Sequence, residues 1–281
     1  VAVPQPIPYQ GSKRQLAPAI LAWLPPQIDT LREPFAGSGA LTLAAADRGL
    51  AARYALGDTL PPLVALWKLI LDDPDTLARG YRELWTPEPS RERYEATRAA
   101  FNQDQDPVKL LYLATRCVKN AIRFNREGAF NQSADRRRAG TRPERVAERI
   151  GAAHRLLAHK ATVAVEDYAH ALQIAGPDDV VFLDPPYLGV SGSRDPRYHQ
   201  GLDLDRFVAE LAYANERGVA WLVTLDGRCG DRVYGPGLPD HLDAERIELA
   251  AGRSSQATLS GRAEQTVESL YLSPALRARR G

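Results

Sequence analysis

Between Thr30 and Asp72 the chain twice repeats one pattern: a short apolar run, a glycine or proline turn, then a segment with helical spacing. "TLREPFAGSG" reads as a strand entering a glycine turn, and "ALTLAAADRG" as the helix behind it, with Gly49 near its end. "ARYALGD" reads as a second strand and "LPPLVALWKLILD" as a second helix, whose prolines are tolerated in its first turn. Consecutive βα units connect right-handed and build a parallel sheet, so this stretch confines the chain to an α/β fold. The rhythm returns after His159, with strands expected at "ATVAV", "DVVFLD" and "VAWLVTL" and helices at "YAHALQIA" and "LDRFVAELAYANERG". "SKRQLAPAILAWL" carries Leu16, Ile20, Leu21 and Leu24 at helical spacing, which predicts a helix. The tail, "AERIELAAGRSSQATLSGRAEQTVESLYLS", reads as two strands joined by a polar loop, an antiparallel hairpin at the sheet edge.

Between the two α/β stretches the pattern changes. From about Thr86 to His159, helical segments ("RERYEATRAAF", "PVKLLYLATRCVKNAI", "RPERVAERIGAAHRLLA") flank the polar stretch "RFNREGAFNQSADRRRAGT". We therefore expect residues 1–85 and 160–281 to form one α/β domain and residues 86–159 a mostly helical insertion. Charge marks the same segment. Between Arg116 and Arg149 ten basic residues stand against four acids, a local +6 in a chain of formal net charge +1. Such a patch is the electrostatic footprint of a polyanion partner, the alternative being a solvated arginine-rich helix face.

Other classes are set aside at this stage. A run of about 18 apolar residues, the length of a membrane span, does not occur. The stretch "VAVPQPIPYQGSKRQ" lacks the basic-then-apolar pattern of a secretory signal. The two cysteines, Cys117 and Cys229, lie far apart without CxxC spacing, so neither a metal site nor a disulfide framework is expected. That usage favours a reducing, cytoplasmic setting.

Three motifs carry chemistry. In "EPFAGSGAL" (33–41), Gly37 and Gly39 allow tight turning at the carboxyl end of a strand, where open α/β sheets bind ligands. The spacing is G-x-G without the third glycine of the dinucleotide fingerprint. Asp58 closes the next strand, where an acid can accept hydrogen bonds from ribose hydroxyls or simply cap a helix. "VVFLDPPYLG" (180–189) ends an apolar strand in Asp184, Pro185, Pro186 and Tyr187. The Asp184 carboxylate and the Pro185 carbonyl form an acceptor pair suited to the two N–H donors of an exocyclic amine. Tyr187 supplies a face on which the ring bearing that amine can stack.

Taken in order, these motifs resemble the DNA adenine methylase family, adenine-N6 methyltransferases that use S-adenosylmethionine (SAM), in the subgroup whose cofactor motif precedes the recognition domain. "YQGSK", with Tyr9, Gly11 and Lys13, is similar to the family's N-terminal aromatic-x-G-G-K element. "EPFAGSG", with Pro34, Phe35, Gly37 and Gly39, resembles its cofactor glycine motif, and Asp58 its ribose-binding acid. "EDY", with Asp167 and Tyr168, is similar to the pair beside the SAM adenine, and "DPPY" to the catalytic tetrapeptide. "TVESLYLS" resembles the closing strand with its glutamate. "RFNREGAFN" (123–131) is similar to the start of a loop that enters DNA, with Arg123 in the place of an arginine that reads a guanine edge. By the same resemblance Lys119, Asn120, Asn125, Arg126, Asn131, Arg136, Arg137 and Arg138 are expected at the DNA, largely on phosphates.

The resemblance implies a seven-stranded, Rossmann-like SAM-dependent methyltransferase sheet, mixed with an antiparallel edge. It implies site-specific methyl transfer to N6 of an adenine flipped out of double-stranded DNA, with no metal. Two further readings stay open: another exocyclic amine as acceptor (cytosine N4, or adenine in RNA), and a catalytically silent DNA-binding subunit. A monomer is expected, because one flipped base needs one active site, and a cognate restriction enzyme is left open as a second partner. The loop 189–201, with His199, is read as a lid. The polar stretch 252–262, with Arg253 and Arg262, is read as a surface loop or a backbone contact. Three departures from the family pattern stand out. Ser12 replaces the second glycine of the N-terminal element, "TLPPL" follows Asp58, and Asn120 falls one position later than the family's asparagine. The target sequence therefore does not carry over.

Overall fold

The structure, a computed structural model, describes residues 2–125, 127–186, 202–229, 232–233, 236–253 and 265–280. Its strands are β1 (Ile28–Glu33), β2 (Ala51–Asp58), β3 (Ala161–Val165), β4 (Val180–Leu183), β5 (Ala220–Cys229), β6 (Arg232–Val233), β7 (Glu245–Arg253) and β8 (Gln265–Leu272). They lie in the order β3-β2-β1-β4-β5-β8-β7, with the two-residue β6 paired to β5. From β3 to β5 the neighbours are parallel, while β8 runs antiparallel to both β5 and β7. The expected mixed sheet is therefore present, with the β7–β8 pair at its edge and β6 as a small addition.

Period-two alternation explains how the central strands are buried on both faces. Val180 and Phe182 of β4 and Ala220 and Leu222 of β5 feed one apolar cluster. Their alternates, Val181, Leu183, Trp221 and Val223, feed the other. The first face is covered by α1 (Ala17–Leu21), α2 (Ala40–Asp47) and α3 (Pro61–Asp72), the second by α8 (Tyr168–Ile174) and α9 (Leu204–Glu216).

The central segment contributes α5 (Arg91–Asp104), α6 (Pro107–Arg116) and α7 (Pro143–Leu157), preceded by α4 (Pro74–Leu84). Its large side chains Tyr94, Phe101, Tyr112 and Phe130 are fully buried in the same cluster as Trp67 of α3. The core of this central segment is thus continuous with the core beneath the sheet.

Local departures from the sequence reading have identifiable causes. The helix expected over 12–24 is a 3₁₀ turn (Lys13–Gln15) followed by the short α1, because Pro18 has no N–H and sits in the first turn of a new helix. The helix expected to run to Ile122 stops at Arg116. Lys119 and Asn120 follow with φ of 60° and 53°, and Asn120 Nδ2 donates to the Ala114 carbonyl at 2.9 Å, satisfying an acceptor freed at the helix end. Helix α4 is an addition to the sequence reading, although "DPDT" holds its start signal: the Asp73 side chain accepts from Thr76 N–H at 3.0 Å, with Pro74 in the first turn.

Candidate active site

Strand order reverses between β1 and β4, and open α/β sheets form a crevice at the carboxyl ends of strands around such a point. β1 delivers Glu33, Pro34 and Phe35 there, and the chain then turns through Gly37 (φ 46°) and Gly39 (φ 58°) into α2. Both positions occupy the left-handed region that glycine enters without a Cβ clash. Gly39 has a second constraint, since a Cβ there would lie 2.6 Å from the Trp67 ring. Trp67 Nε1 in turn donates to the Gly37 carbonyl at 3.0 Å.

The same turn holds Asp58, at the end of β2. Gly37 N–H donates to its Oδ2 at 3.2 Å and Leu60 N–H to its Oδ1 at 3.0 Å. The "TLPPL" continuation thus supplies backbone amides that help orient the acid, among them Leu60 N–H, and Pro61 begins α3 directly afterwards. Burial pushes the Asp58 carboxyl up to about 6 against the opposing pull of the backbone amides.

The N-terminal element docks against this turn. Tyr9 packs beside Gly37, where a Cβ would be 3.3 Å from its ring, and the Ser12 and Ser38 hydroxyls hydrogen-bond at 2.8 Å. Gly11 has φ of 87°, whereas Ser12 has φ of −53°, so the second position of the element does not require glycine. Lys13 is buried, with Nζ 2.7 Å from Asp184 Oδ1 and 3.3 Å from Glu268 Oε2. Thr224 of β5 donates to the same Asp184 oxygen at 2.7 Å. Beside them lies Glu33, buried, accepting from the Thr42 amide at 2.9 Å and the Thr42 hydroxyl at 2.5 Å. Burial, with a further contribution from Asp184, pushes its carboxyl up to about 7.

Aromatic rings complete the lining. Phe35 stacks on Tyr168 (centroids 5.4 Å apart, planes at 20°), and Phe207 meets Tyr168 edge-on at 5.2 Å. Arg206 lies over the Tyr168 ring at 5.4 Å and pairs with Asp167 at 2.9 Å. Asp167 also caps α8 by accepting from Ala169 N–H. A cavity of about 810 Å³ is lined by Tyr9, Lys13, Glu33, Phe35, Gly37, Asp58, Asp167, Tyr168, Asp184 and Arg206, and Ile122 and Phe124 reach it from the central segment.

The predicted residues Tyr9, Gly11 and Lys13 therefore meet Phe35, Gly37 and Asp58 in one cavity. Asp167, Tyr168, Asp184, Pro185 and Pro186 line it as well, while Pro34 and Gly39 are buried. Tyr187, Arg126, the 189–201 loop with His199, and 254–262 with Arg262 lie outside the described residues. Sequence reasoning missed Glu33, Thr224, Arg206, Phe207, Ile122 and Phe124. Thr224 is visible only through pairing: Leu183 lies opposite Val223, so the next residues are Asp184 and Thr224.

The segment 123–131 folds back on itself. Phe124 and Phe130 pair across it, Asn131 N–H donates to the Arg123 carbonyl, and Asn125 Oδ1 accepts from Ala129 N–H at 2.8 Å. Both phenylalanines pack on Phe101, and Asn102 clamps the Phe130 backbone through its amide oxygen (2.8 Å) and nitrogen (3.2 Å). Lys119, Asn131, Arg136, Arg137 and Arg138 are exposed. Arg123 Nε is buried and has no hydrogen-bond partner among the described residues. Asn120 and Asn125 have internal partners, and Arg138 donates to Asn120 Oδ1 at 3.1 Å. Arg116 is buried, its guanidinium bonded to the Tyr112 hydroxyl at 2.9 Å and the Glu88 carbonyl at 3.3 Å, so one charge of the patch faces inward.

Known proteins match this sequence. Over 213 residues the chain is 32% identical to the DNA adenine methylase of Escherichia coli K12, covering 73% of each chain. It is 28% identical over 227 residues to the DNA adenine methylase of Vibrio cholerae, covering 77% of this chain and 79% of that one. With the DNA N-6-adenine-methyltransferase of Escherichia phage P1 the identity is 27% over 231 residues, 78% of this chain but 29% of the phage protein. Residues 9–215, which include the glycine turn, Asp58, Asp184 and the arginine-rich insertion, match the family described as D12 class N6 adenine-specific DNA methyltransferase, and the chain belongs to that family.

Proposed function

We propose that the chain methylates N6 of an adenine turned out of double-stranded DNA at a specific sequence, with SAM as donor. The observation that carries this reading is the meeting of two groups of residues in one cavity: the Gly37 turn with Asp58, and Asp184 with Pro185. Its volume suits a small-molecule cofactor. The left-handed glycines let backbone approach a ligand closely, and the oriented Asp58 suits a ribose. Phe35 and Tyr168 present flat apolar surface for a purine. These residues fit SAM, and Gly37, Asp58, Asp167 and Tyr168 would hold it. When bound, SAM would supply an activated methyl group to the amine nitrogen and leave as the neutral thioether.

The chain's own residues do the placing. Asp184 and the Pro185 carbonyl accept the two amine N–H bonds, which aims the nitrogen lone pair and draws on the proton that nitrogen must lose. By the sequence resemblance, Tyr187 stacks on the base. Positioning of this kind accounts for most of the catalysis, because the methyl donor is already activated. Extruding the base costs a few kcal/mol. Contacts from the exposed Lys119, Arg136, Arg137 and Arg138 to phosphate, and from Arg123 to a base edge, would set register and specificity. Under this reading a monomer is sufficient, and a cytoplasmic setting and a companion restriction enzyme are its wider expectations.

The test is direct. Duplex DNA incubated with the protein and methyl-labelled SAM, then digested to nucleosides, should carry the label as N6-methyladenosine. Label on cytosine, or its appearance only with RNA, would replace this reading with the corresponding alternative. Asp184→Ala should abolish transfer while duplex binding persists.

A further inference from the structure

We infer that Glu268, acting through Lys13, and Thr224 are positioning residues for Asp184, together fixing which of its carboxylate oxygens meets the substrate amine. The inference rests on the methyltransferase reading above. Asp184 lies just beyond β4, where the strand ladder no longer holds the backbone, so its side chain needs other restraints. Two converge on a single atom: Lys13 Nζ and Thr224 Oγ1 each lie 2.7 Å from Oδ1. Oδ1 is thereby engaged on both sides, and Oδ2 is assigned as the acceptor for the amine.

Each restraint is itself anchored. Thr224 is fully buried on β5. Lys13 comes from a three-residue 3₁₀ turn, outside the sheet, and its ammonium, on a side chain only 4% exposed, reaches back to Glu268 of β8 at 3.3 Å. Glu268 stands where the β5–β8 register shifts between Asp226 and Arg228. Gly227 permits that shift, since a Cβ there would be 2.2 Å from the Val267 carbonyl oxygen. Bulges of this kind re-aim neighbouring side chains. The brace thus ties the N-terminal element to the antiparallel edge of the sheet, across the catalytic acid.

The charge arrangement serves the reaction as well as the geometry. One ammonium between two carboxylates leaves a net negative charge beside the nitrogen, which becomes positive as N–C forms. Removing the Glu268 charge would leave the Lys13 ammonium to neutralise Asp184 and weaken its acceptor oxygen. A 1 Å misplacement of a reacting group can alone cost about 100-fold in rate.

Single-turnover methyl transfer at saturating SAM and duplex, with separate titrations of both ligands, tests the brace. Glu268→Gln and Thr224→Val should each slow transfer by about 10- to 100-fold while SAM and DNA affinities stay within about threefold of wild type. Glu268→Asp, which keeps the charge, should recover part of the rate lost in Glu268→Gln. Transfer at the wild-type rate in Glu268→Gln, or a loss confined to SAM affinity, would overturn the proposal. If Glu268→Gln does not fold, Glu268→Asp decides: slower transfer at unchanged affinities supports the brace, and a wild-type rate overturns it. Asp184→Asn separates the two levels. Full activity in that variant refutes the reading of the site itself, whereas an inactive Asp184→Asn beside a fully active Glu268→Gln refutes only the brace.

Discussion

The Gly37 amide donates to Asp58 at 3.2 Å, which couples the turn after β1 to the acid that ends β2. With Leu60 N–H on the other oxygen, the carboxylate is held in one orientation while each oxygen keeps a lone pair for a ligand hydroxyl. Because burial raises the acid to about 6, its ionised, accepting form is lost as pH falls through that value. SAM affinity should therefore weaken between pH 8 and pH 5. Trp67, bonded to the Gly37 carbonyl, offers an intrinsic fluorescence probe. Glu33 titrates in the same cavity, so the comparison that isolates Asp58 is Asp58→Asn, which should bind SAM more weakly at pH 8 and show a flatter pH response. An unchanged slope in Asp58→Asn would remove Asp58 from the cofactor site.

Gly39 and Gly11 make a paired test of why glycine occupies each position. Both have positive φ, but only Gly39 also lies against a neighbour, Trp67. Gly11→Ala should cost about 1 kcal/mol from the backbone alone. Gly39→Ala should cost roughly 2–4 kcal/mol, since the Trp67 ring must also move. Urea denaturation of the two variants measures the difference; equal losses would mean that Trp67 yields freely.

The parts legible in sequence are those governed by local patterning. Alternation in β4 and β5, the glycine turn and the acids at strand ends follow from short-range rules, and the turn and the acids line one cavity. What escapes depends on register and packing. Thr224 looks like any strand threonine until β4 and β5 are aligned, and Arg206 becomes a partner of Asp167 only when α9 is laid against α8. The end of α6 at Arg116 is obscured because "TRCVKNAI" contains neither glycine nor proline. Asn120 instead uses its side chain to close the helix and accepts a left-handed backbone. Arg116 is misjudged for a related reason: a charge count along the chain does not distinguish a buried guanidinium from exposed ones.

That distinction divides the arginines experimentally. Arg116→Ala removes hydrogen bonds to the Tyr112 hydroxyl and the Glu88 carbonyl and should cost roughly 2–4 kcal/mol of stability, with the salt dependence of DNA binding unchanged. The exposed Arg136, Arg137 and Arg138, replaced together by alanine, should alter stability by less than about 1 kcal/mol. DNA affinity should fall in that triple variant, and the slope of log affinity against log salt should become shallower by about 0.9 for each phosphate that the protein no longer neutralises. An unchanged slope would place these three arginines away from the DNA.

Glu33 yields the prediction with the most definite sign. Its folded carboxyl is raised from 4.5 to about 7, chiefly by burial, so between those values the folded chain binds more protons than the unfolded one. Stability must then decrease as pH rises through this window, because holding the ionised form in a buried site is unfavourable. The loss amounts to at most about 3–4 kcal/mol, at about 1.4 kcal/mol for each pH unit of displacement. Asp58, raised from 3.8 to about 6, adds a loss of the same sign at slightly lower pH. Glu33→Gln keeps the shape and an acceptor for Thr42 but cannot ionise. Relative to wild type, that variant should therefore gain stability as pH rises from 5 to 8, measured by urea denaturation in the absence of ligands. A wild-type chain whose stability relative to Glu33→Gln is constant across this range would show that Glu33 is already ionised at pH 5.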